Sequence, residues 1–138
     1  MPRFFLAKTD PETYSISDFA KEKETNWDGV HNYTALIVIR SWQIGDKILI
    51  YHSLGEARIV GLAEVITAPE KNEADPRPSW QAKLRFIKEF PEEQKISLKQ
   101  VKESHRFDDF MLVRQGRLST MACPDEFVAW LREVGMEV

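Results

Sequence analysis

The chain has 138 residues, of which 43% are hydrophobic and 30% charged, with a formal net charge of −3. This composition is typical of one folded domain and excludes a disordered chain. Because the net charge is acidic, neutralisation of phosphates can drive nucleic-acid binding only where basic residues gather on one face. The single cysteine, Cys123, excludes an intrachain disulfide and a cysteine cluster for a metal. We therefore expect no metal and no cofactor.

Turn residues and hydrophobic patterns divide the first half of the chain into short elements. In chain order we predict a strand at 4–8, a short helix ending at 23, a polar loop at 22–26, and a hairpin of strands at 47–52 and 58–68. Ser15 or Ser17 is suited to cap the helix, and Asp18 follows Ser15 at the spacing of a capping box. Gly61 predicts a bulge or a close approach by another group.

Two readings are open for residues 32–44. The run Leu-Ile-Val-Ile at 36–39 is typical of a buried strand, yet apolar residues of the segment also recur at helical spacing. Local propensity favours the strand.

The second half of the chain continues with strands and short helices. In chain order we predict an exposed loop at 69–79, a half-buried strand at 80–90, a helical turn at 97–102, a short strand at 117–121 and a closing helix from Pro124 to Gly135. Trp80 and Trp130 are expected in the core. Without βαβ alternation, this order indicates an α+β fold on a small, strongly bent or closed antiparallel sheet.

Residues 27–53 carry side chains that suit a pocket for a nucleobase. Aromatic faces stack on a flat ligand, while amides and hydroxyls fix its polar edge. Trp27 is either a plug on the core, which is the commoner arrangement, or an exposed platform. By strand alternation Tyr51 and Ser53 share one face and His52 lies on the other, so we favour the first two for the pocket.

Six blocks of residues, in order along essentially the whole chain, resemble the EVE domain family. They are Lys8-Thr9-Asp10-Pro11 with Tyr14-Ser15, Trp27-Asp28-Gly29-Val30-His31-Asn32-Tyr33 with Ala35, Arg40 before Gly45-Asp46, Tyr51-His52-Ser53, Gly61 with Glu64-Val65, and Arg117-Leu118-Ser119 with Met121. The resemblance implies a single domain over residues 1–138 with a PUA-like β-barrel flanked by short helices. It also implies that residues 33–42 form a helix, and we let it overrule propensity.

The resemblance further implies binding without catalysis. A base of the 5-methylcytosine or N6-methyladenine type, flipped from DNA or RNA, would enter a pocket. The candidate base-binding residues are Lys8, Thr9, Trp27, Val30, His31, Asn32, Tyr33, Tyr51, Ser53, Leu118 and Ser119. The expected roles are stacking for Trp27 or Tyr33, reading of the polar edge for Asn32 and Ser119, and an apolar wall for a methyl group at Val30 and Leu118. The candidate phosphate contacts are Lys21, Arg40, Arg114 and Arg117.

Two departures from the family pattern carry information. His31 stands where arginine is usual, which removes a permanent charge and its bidentate reach and argues against a phosphate contact at that residue. The apolar residues at 36–38 replace a polar run, which makes homodimerisation through residues 36–42 a hypothesis. The compact chain resembles stand-alone bacterial members of the family. The apolar run at the N-terminus ends at Lys8, too early for a signal peptide or a membrane span, so we expect a cytoplasmic location.

Two other function classes compete with base binding. A hydrolase would use Ser53 or Ser119 with a histidine, but His52 and Ser53 point to opposite faces of a strand and cannot form a nucleophile and base pair. A protein-interaction module would need the 36–42 face exposed. A structural role is the commoner one for a histidine placed like His52, and His31 is expected at the surface.

Overall fold

Eight strands and five helices alternate irregularly along residues 2–138, the part of the chain that the structure, a computed structural model, describes. They are β1 (Phe4–Thr9), α1 (Ile16–Glu22), β2 (Glu24–Trp27), α2 (Tyr33–Ser41), β3 (Lys47–His52), β4 (Arg58–Val65), β5 (Glu70–Lys71), β6 (Trp80–Glu89), β7 (Ile96–Ser97), α3 (Leu98–Glu103), α4 (Met111–Arg114), β8 (Thr120–Ala122) and α5 (Asp125–Glu133). The predicted α+β class is confirmed.

Six strands form a mixed sheet in the order β2-β6-β4-β3-β1-β8, with β5 added to β6 and β7 to β4. β1 and β3 run parallel, and the other pairs are antiparallel. A parallel pair needs a crossover, which α1, β2 and α2 provide. Within residues 2–138 no pairing joins β2 to β8, so the sheet is open and not purely antiparallel, in contrast to the closed antiparallel form considered from the sequence.

The central strands β1 and β3 are buried on both faces. Leu6 and Leu49 belong to the core beneath α5, whereas Phe5 and Ile48 belong to the core beneath α1 and α2. Burial on both sides explains why these strands read as nearly continuous apolar runs. The same arrangement places Tyr51 in the α5 core.

The segment with two readings is a helix, as the resemblance implied. Asn32 caps α2 by accepting a hydrogen bond from the Ala35 N–H at 3.0 Å, and Ala35 and Ile39 are fully buried against the sheet. At the other end, the Arg3 guanidinium donates to the Ser41 carbonyl at 2.7 Å. Packing of one helical face therefore outweighs the β-propensity of the sequence.

The prediction of a polar loop at 22–26 is wrong, because residues 24–27 form β2 on the edge of β6. Lys23 adopts a left-handed conformation (φ 70°) that ends α1. The chain then pairs antiparallel with β6, Trp27 standing opposite Ala82. Pairing satisfies backbone groups along the edge of β6, an advantage that the polar sequence of β2 does not reveal.

For Gly61 a bulge or a close approach was predicted, and the structure shows both. A Cβ atom there would lie 2.3 Å from Cδ1 of Ile16, and the pairing of β3 with β4 shifts between Ile50 and Tyr51. Trp130 is buried as predicted. Trp80, which was expected in the core, is only half-buried, and the Arg40 guanidinium covers its ring at 4.8 Å from the ring centroid.

Candidate functional site

A cavity of about 660 Å³ lies where the end of β1, the end of β2 and the start of α2 meet β8. This volume falls within the range of roughly 300–1,000 Å³ that is usual for small-molecule sites. The sequence-predicted residues that line it are Lys8, Thr9, Trp27, Val30, His31, Asn32 and Ser119. The structure thus brings together residues from both ends of the chain.

Four predicted residues do not line this cavity. Tyr33 is 78% exposed on the outer side of α2, and Tyr51 is only 2% exposed because β3 is covered on both faces. Ser53 lies beyond the end of β3, where its N–H donates to the Thr9 carbonyl at 3.0 Å. Leu118 is buried and lines a second cavity.

Asn32 presents hydrogen-bond donors to the cavity. Its amide oxygen accepts the Ala35 N–H as the cap of α2, which leaves the two N–H groups of the side chain free of this bond. The Ser119 hydroxyl lies 3.5 Å from the Thr120 hydroxyl, and the Thr9 hydroxyl donates to the Tyr14 carbonyl at 2.8 Å. Asn32 is therefore suited to bind an acceptor on the ligand edge.

Two carboxylates in the lining supply acceptors and were missed from the sequence. Asp10 holds the turn after β1 by accepting the Glu12 N–H at 2.9 Å, and Asp28 follows β2 directly. Both residues belong to the blocks that resemble the EVE domain family, which could have indicated them as site residues. Only their neighbours in those blocks were predicted to bind the base. A carboxylate can accept from the exocyclic amino group of cytosine.

Lys8 is the one lysine among the residues that line the cavity. Its ammonium donates to the Gly116 carbonyl at 2.9 Å and lies 5.5 Å from the centroid of the Tyr51 ring. Burial lowers the pKa of Lys8 from its usual value. The ammonium fixes the loop before β8 against β1.

Two aromatic residues contribute to the lining. Trp27 is 7% exposed, so it is mainly a plug on the core, as the commoner arrangement predicted, that also borders the cavity. Tyr14 was missed; its hydroxyl donates to the Glu22 carboxylate, and burial with that bond raises its pKa to about 12. Tyr14 rather than Tyr33 is therefore the tyrosine placed to contact a ligand in the cavity.

His31 belongs to a network that the sequence did not reveal. Its Nε2 lies 2.6 Å from Oδ2 of Asp75, and its Nδ1 lies 2.7 Å from the Arg77 guanidinium. The backbone N–H of Arg77 and the Ser79 hydroxyl also donate to Asp75, at 2.9 and 2.7 Å, and with His31 they lower the Asp75 pKa to about 2. His31 is thus half-buried rather than a free surface residue, because its partners come from the loop before β6.

His52 has the structural role that is commoner for such a residue. Its Nε2 accepts the Ile16 N–H at 3.1 Å, at the first turn of α1. Burial and the nearby Lys95 and Arg58 lower the His52 pKa below the ordinary 6.5, which favours the neutral acceptor. Within residues 2–138, neither Ser53 nor Ser119 forms a hydrogen bond with a histidine, so the arrangement that a hydrolase requires is not found there.

A second cavity of about 370 Å³ adjoins the first and shares Asn32 with it. Arg114 and Arg117 line it, together with Leu118. Arg114 forms an exposed ion pair with Asp109 at 3.3 Å. Arg117 has no ion-pair partner in the part of the chain that the structure describes.

The other two phosphate candidates lie outside both cavity linings. Lys21 is exposed in the last turn of α1. Arg40 lies over Trp80, and the carbonyl of Ser41 at the end of α2 accepts a hydrogen bond from Arg3. Among the residues described, no group of three or more potential ligands is arranged to hold a metal ion, and no helix is long and apolar enough to span a membrane.

Residues 3–134 match the EVE domain family. The chain is a member of that family. Thymocyte nuclear protein 1 of Rattus norvegicus is 31% identical over a region covering 77% of this chain and 58% of the relative. The Homo sapiens protein is 35% identical over 45% of this chain and 33% of its own length. This chain thus spans little more than half of the length of the rat relative.

Solved structures share this EVE fold. A hypothetical protein from Leishmania major superposes with a TM-score of 0.85 at 30% identity, over 97% of this chain and 95% of its own. A Pseudomonas putida protein superposes with a TM-score of 0.86 at 26% identity, over 95% of this chain and 98% of its own. Human THYN1 in complex with 5-methylcytosine-containing DNA gives 0.84 at 23% identity, over 99% of both chains. The last of these, at its low identity, shows the fold alone.

Proposed function

We propose that this EVE domain binds nucleic acid carrying a modified base and holds that base, flipped from its strand, in the cavity beside Trp27. One observation carries the proposal: the amide donors of Asn32, the carboxylates of Asp10 and Asp28 and an aromatic wall border a single cavity. Support of a different kind comes from the structural neighbour human THYN1, which was solved with 5-methylcytosine-containing DNA. From the resemblance to the EVE domain family we also infer a non-catalytic role and a PUA-like relationship.

In this proposal each part of the base meets a matching group. The Asn32 amide donates to a ring or carbonyl acceptor, and Asp28 accepts from the exocyclic amino group, a combination suited to cytosine and adenine. Val30, half-buried in the lining, forms the wall for a methyl group. The 5-methylcytosine ligand is our first candidate and N6-methyladenine the second.

The energetics favour modest selectivity. Flipping a base out of its stack costs a few kcal/mol, and stacking on an aromatic side chain returns about 1–3 kcal/mol. The two terms nearly cancel, which leaves discrimination to the pocket contacts. One methyl group in an apolar pocket is worth about 1–3 kcal/mol, or roughly 10–200-fold in affinity.

The strand leaving the base would run across Asn32 into the second cavity. There Arg114 and Arg117 would contact the adjoining phosphate, and the exposed Lys21, outside both linings, would be a weaker contact. Either DNA or RNA can supply this combination of base and phosphate. We infer DNA first, because the neighbour's ligand is DNA.

The test is fluorescence anisotropy with labelled single strands that carry one cytosine, 5-methylcytosine, adenine or N6-methyladenine, each as DNA and as RNA. We expect the wild-type chain to bind one modified base at least tenfold more tightly than its unmodified form. Val30→Thr keeps the side-chain shape but places a hydroxyl at the methyl wall, and it should bring the two affinities within about twofold. Val113→Thr, a half-buried position outside both cavities, is the matched control. Equal binding of all strands by the wild-type chain would refute the proposal.

Self-association is a second proposal that rests on a separate surface. Tyr33 is 78% and Ile37 49% exposed one turn apart on α2, whereas Ile39 and Trp42 of the same segment are buried. We infer that the chain forms a homodimer through the Tyr33–Ile37 face. From the sequence we also infer a cytoplasmic location. Light scattering after size exclusion should then give twice the chain mass, and Ile37→Glu should give the monomer. A wild-type monomer at high micromolar concentration would refute the dimer.

A further inference from the structure

The loop between β5 and β6, residues 72–79, is folded by its own side chains. The Asn72 N–H donates to the Ser79 carbonyl at 2.9 Å, and the Asn72 side chain accepts the Ala74 N–H at 3.2 Å. Asp75 accepts hydrogen bonds from the backbone N–H of Arg77 and from the hydroxyl of Ser79, a residue that is 1% exposed. These hydrogen bonds fix the backbone conformation of the loop from which the Arg77 side chain extends.

The loop is docked on the cavity through His31. Because the Arg77 guanidinium can only donate, the His31 Nδ1 at 2.7 Å must be the acceptor, and the Nε2 then carries the hydrogen that is donated to Asp75 at 2.6 Å. Both ring nitrogens of His31 are thereby occupied within the protein. His31 can offer its carbon edge to a ligand, but no ring nitrogen while this network is intact.

Arg77 keeps most of its capacity for binding. One of its five side-chain donors is used by His31, the side chain is exposed, and no carboxylate within residues 2–138 forms an ion pair with it. The cavity beside it is lined by one lysine and two carboxylates, Asp10 and Asp28. A phosphate near this acidic lining requires a cation at the rim, and a guanidinium with free parallel donors suits phosphate oxygens.

We propose that Arg77 contacts a phosphate of the nucleic-acid strand whose base occupies the cavity, and that His31 is the positioning residue that holds Arg77 at the rim. The inference rests on the proposed function and adds a phosphate contact beside His31 to those proposed at the Arg114 and Arg117 cavity. Arg77, 46 positions further along the chain, would supply the positive charge that His31 lacks where the family usually has arginine.

The test measures how binding depends on salt. Each phosphate contact with a single strand contributes about 0.7 to the slope of log affinity against log salt concentration. Arg77→Gln should reduce the slope by about 0.7 and weaken binding several-fold, equally for modified and unmodified strands. Arg77→Lys should keep the slope, because the charge is retained. Arg106→Gln, which removes an exposed arginine outside both cavity linings, is the matched control and should change neither quantity.

The possible outcomes separate this inference from the proposed function. A wild-type preference for a modified base together with an unchanged slope in Arg77→Gln would overturn the role of Arg77 and leave base binding standing. A reduced slope in a protein without base preference would support Arg77 as a phosphate contact and overturn base recognition. Absence of binding by the wild-type chain at low salt would overturn both.

Discussion

Asn32→Asp separates the two roles of one side chain. The Asn32 oxygen caps α2, while its side-chain N–H groups are left for the proposed ligand in the cavity that Asn32 lines. Aspartate keeps an oxygen at the cap and adds a negative charge at the helix N-terminus, which is worth about 0.3–1 kcal/mol. We therefore expect the free energy of unfolding to stay the same or rise by up to about 1 kcal/mol.

Binding should change in the opposite direction. Aspartate has no donor, so the acceptor on the ligand is left unpaired at a cost of about 1–3 kcal/mol, which corresponds to roughly 5–150-fold weaker binding. A third carboxylate in the lining adds repulsion toward phosphate. Asn32→Ala, by contrast, should lose binding and also about 1 kcal/mol of stability, because the cap is gone.

Urea denaturation followed by tryptophan fluorescence gives the stability of each variant, and anisotropy with the preferred modified strand gives its affinity. An Asn32→Asp protein that binds like wild type would refute the reading role of the amide. A clear loss of stability in the same variant would refute the capping geometry.

Three further changes test other features of the structure. Gly61→Ala should lower the unfolding free energy by about 1–3 kcal/mol, because the new methyl overlaps Cδ1 of Ile16, and Ile16→Val should rescue part of that loss in the double variant. The pKa of His52 is lowered in the folded state, so the free energy of unfolding should fall as the pH drops from 6.5 through the folded-state pKa. Urea midpoints measured from pH 7.5 to 5 should depend less on pH in His52→Asn than in the wild-type chain. Trp27→Ala should cost about 3–5 kcal/mol in thermal or urea unfolding because the indole is buried, whereas Trp27→Phe should fold well enough for binding assays. A Trp27→Ala protein as stable as wild type would show that the indole is not a core plug.

Local bonds made part of the fold predictable. Ser15 caps α1 with Asp18 in the reciprocal position, and Ser97 caps α3 in the same way. Each of these caps closes within three residues, so the sequence contains all the information. The helix at 33–41 was different, since its β-branched residues favour a strand and burial of Ala35 and Ile39 reverses that preference.

The candidate site depended on partners far apart in the sequence. Alternation correctly separated Tyr51 from His52, but it could not show that both faces of β3 are covered. The partners of His31 lie 44 and 46 residues away in a loop without periodicity. Tyr14 and Asp28 were within the recognised blocks, yet only the cavity geometry shows that they line the site.

The position of β1 has a consequence for synthesis of the chain. β1 pairs with β3 along one edge and with β8 along the other, Leu6 standing opposite both Leu49 and Met121. A nascent chain can form the first pairing early, but the second edge stays open until the strand at 120–122 has left the ribosome. The wall formed by Lys8 and Ser119 is completed only then, so an unfinished chain cannot bind nucleic acid through this site. Until then the unpaired edge of β1 is open to pairing with strands of neighbouring chains.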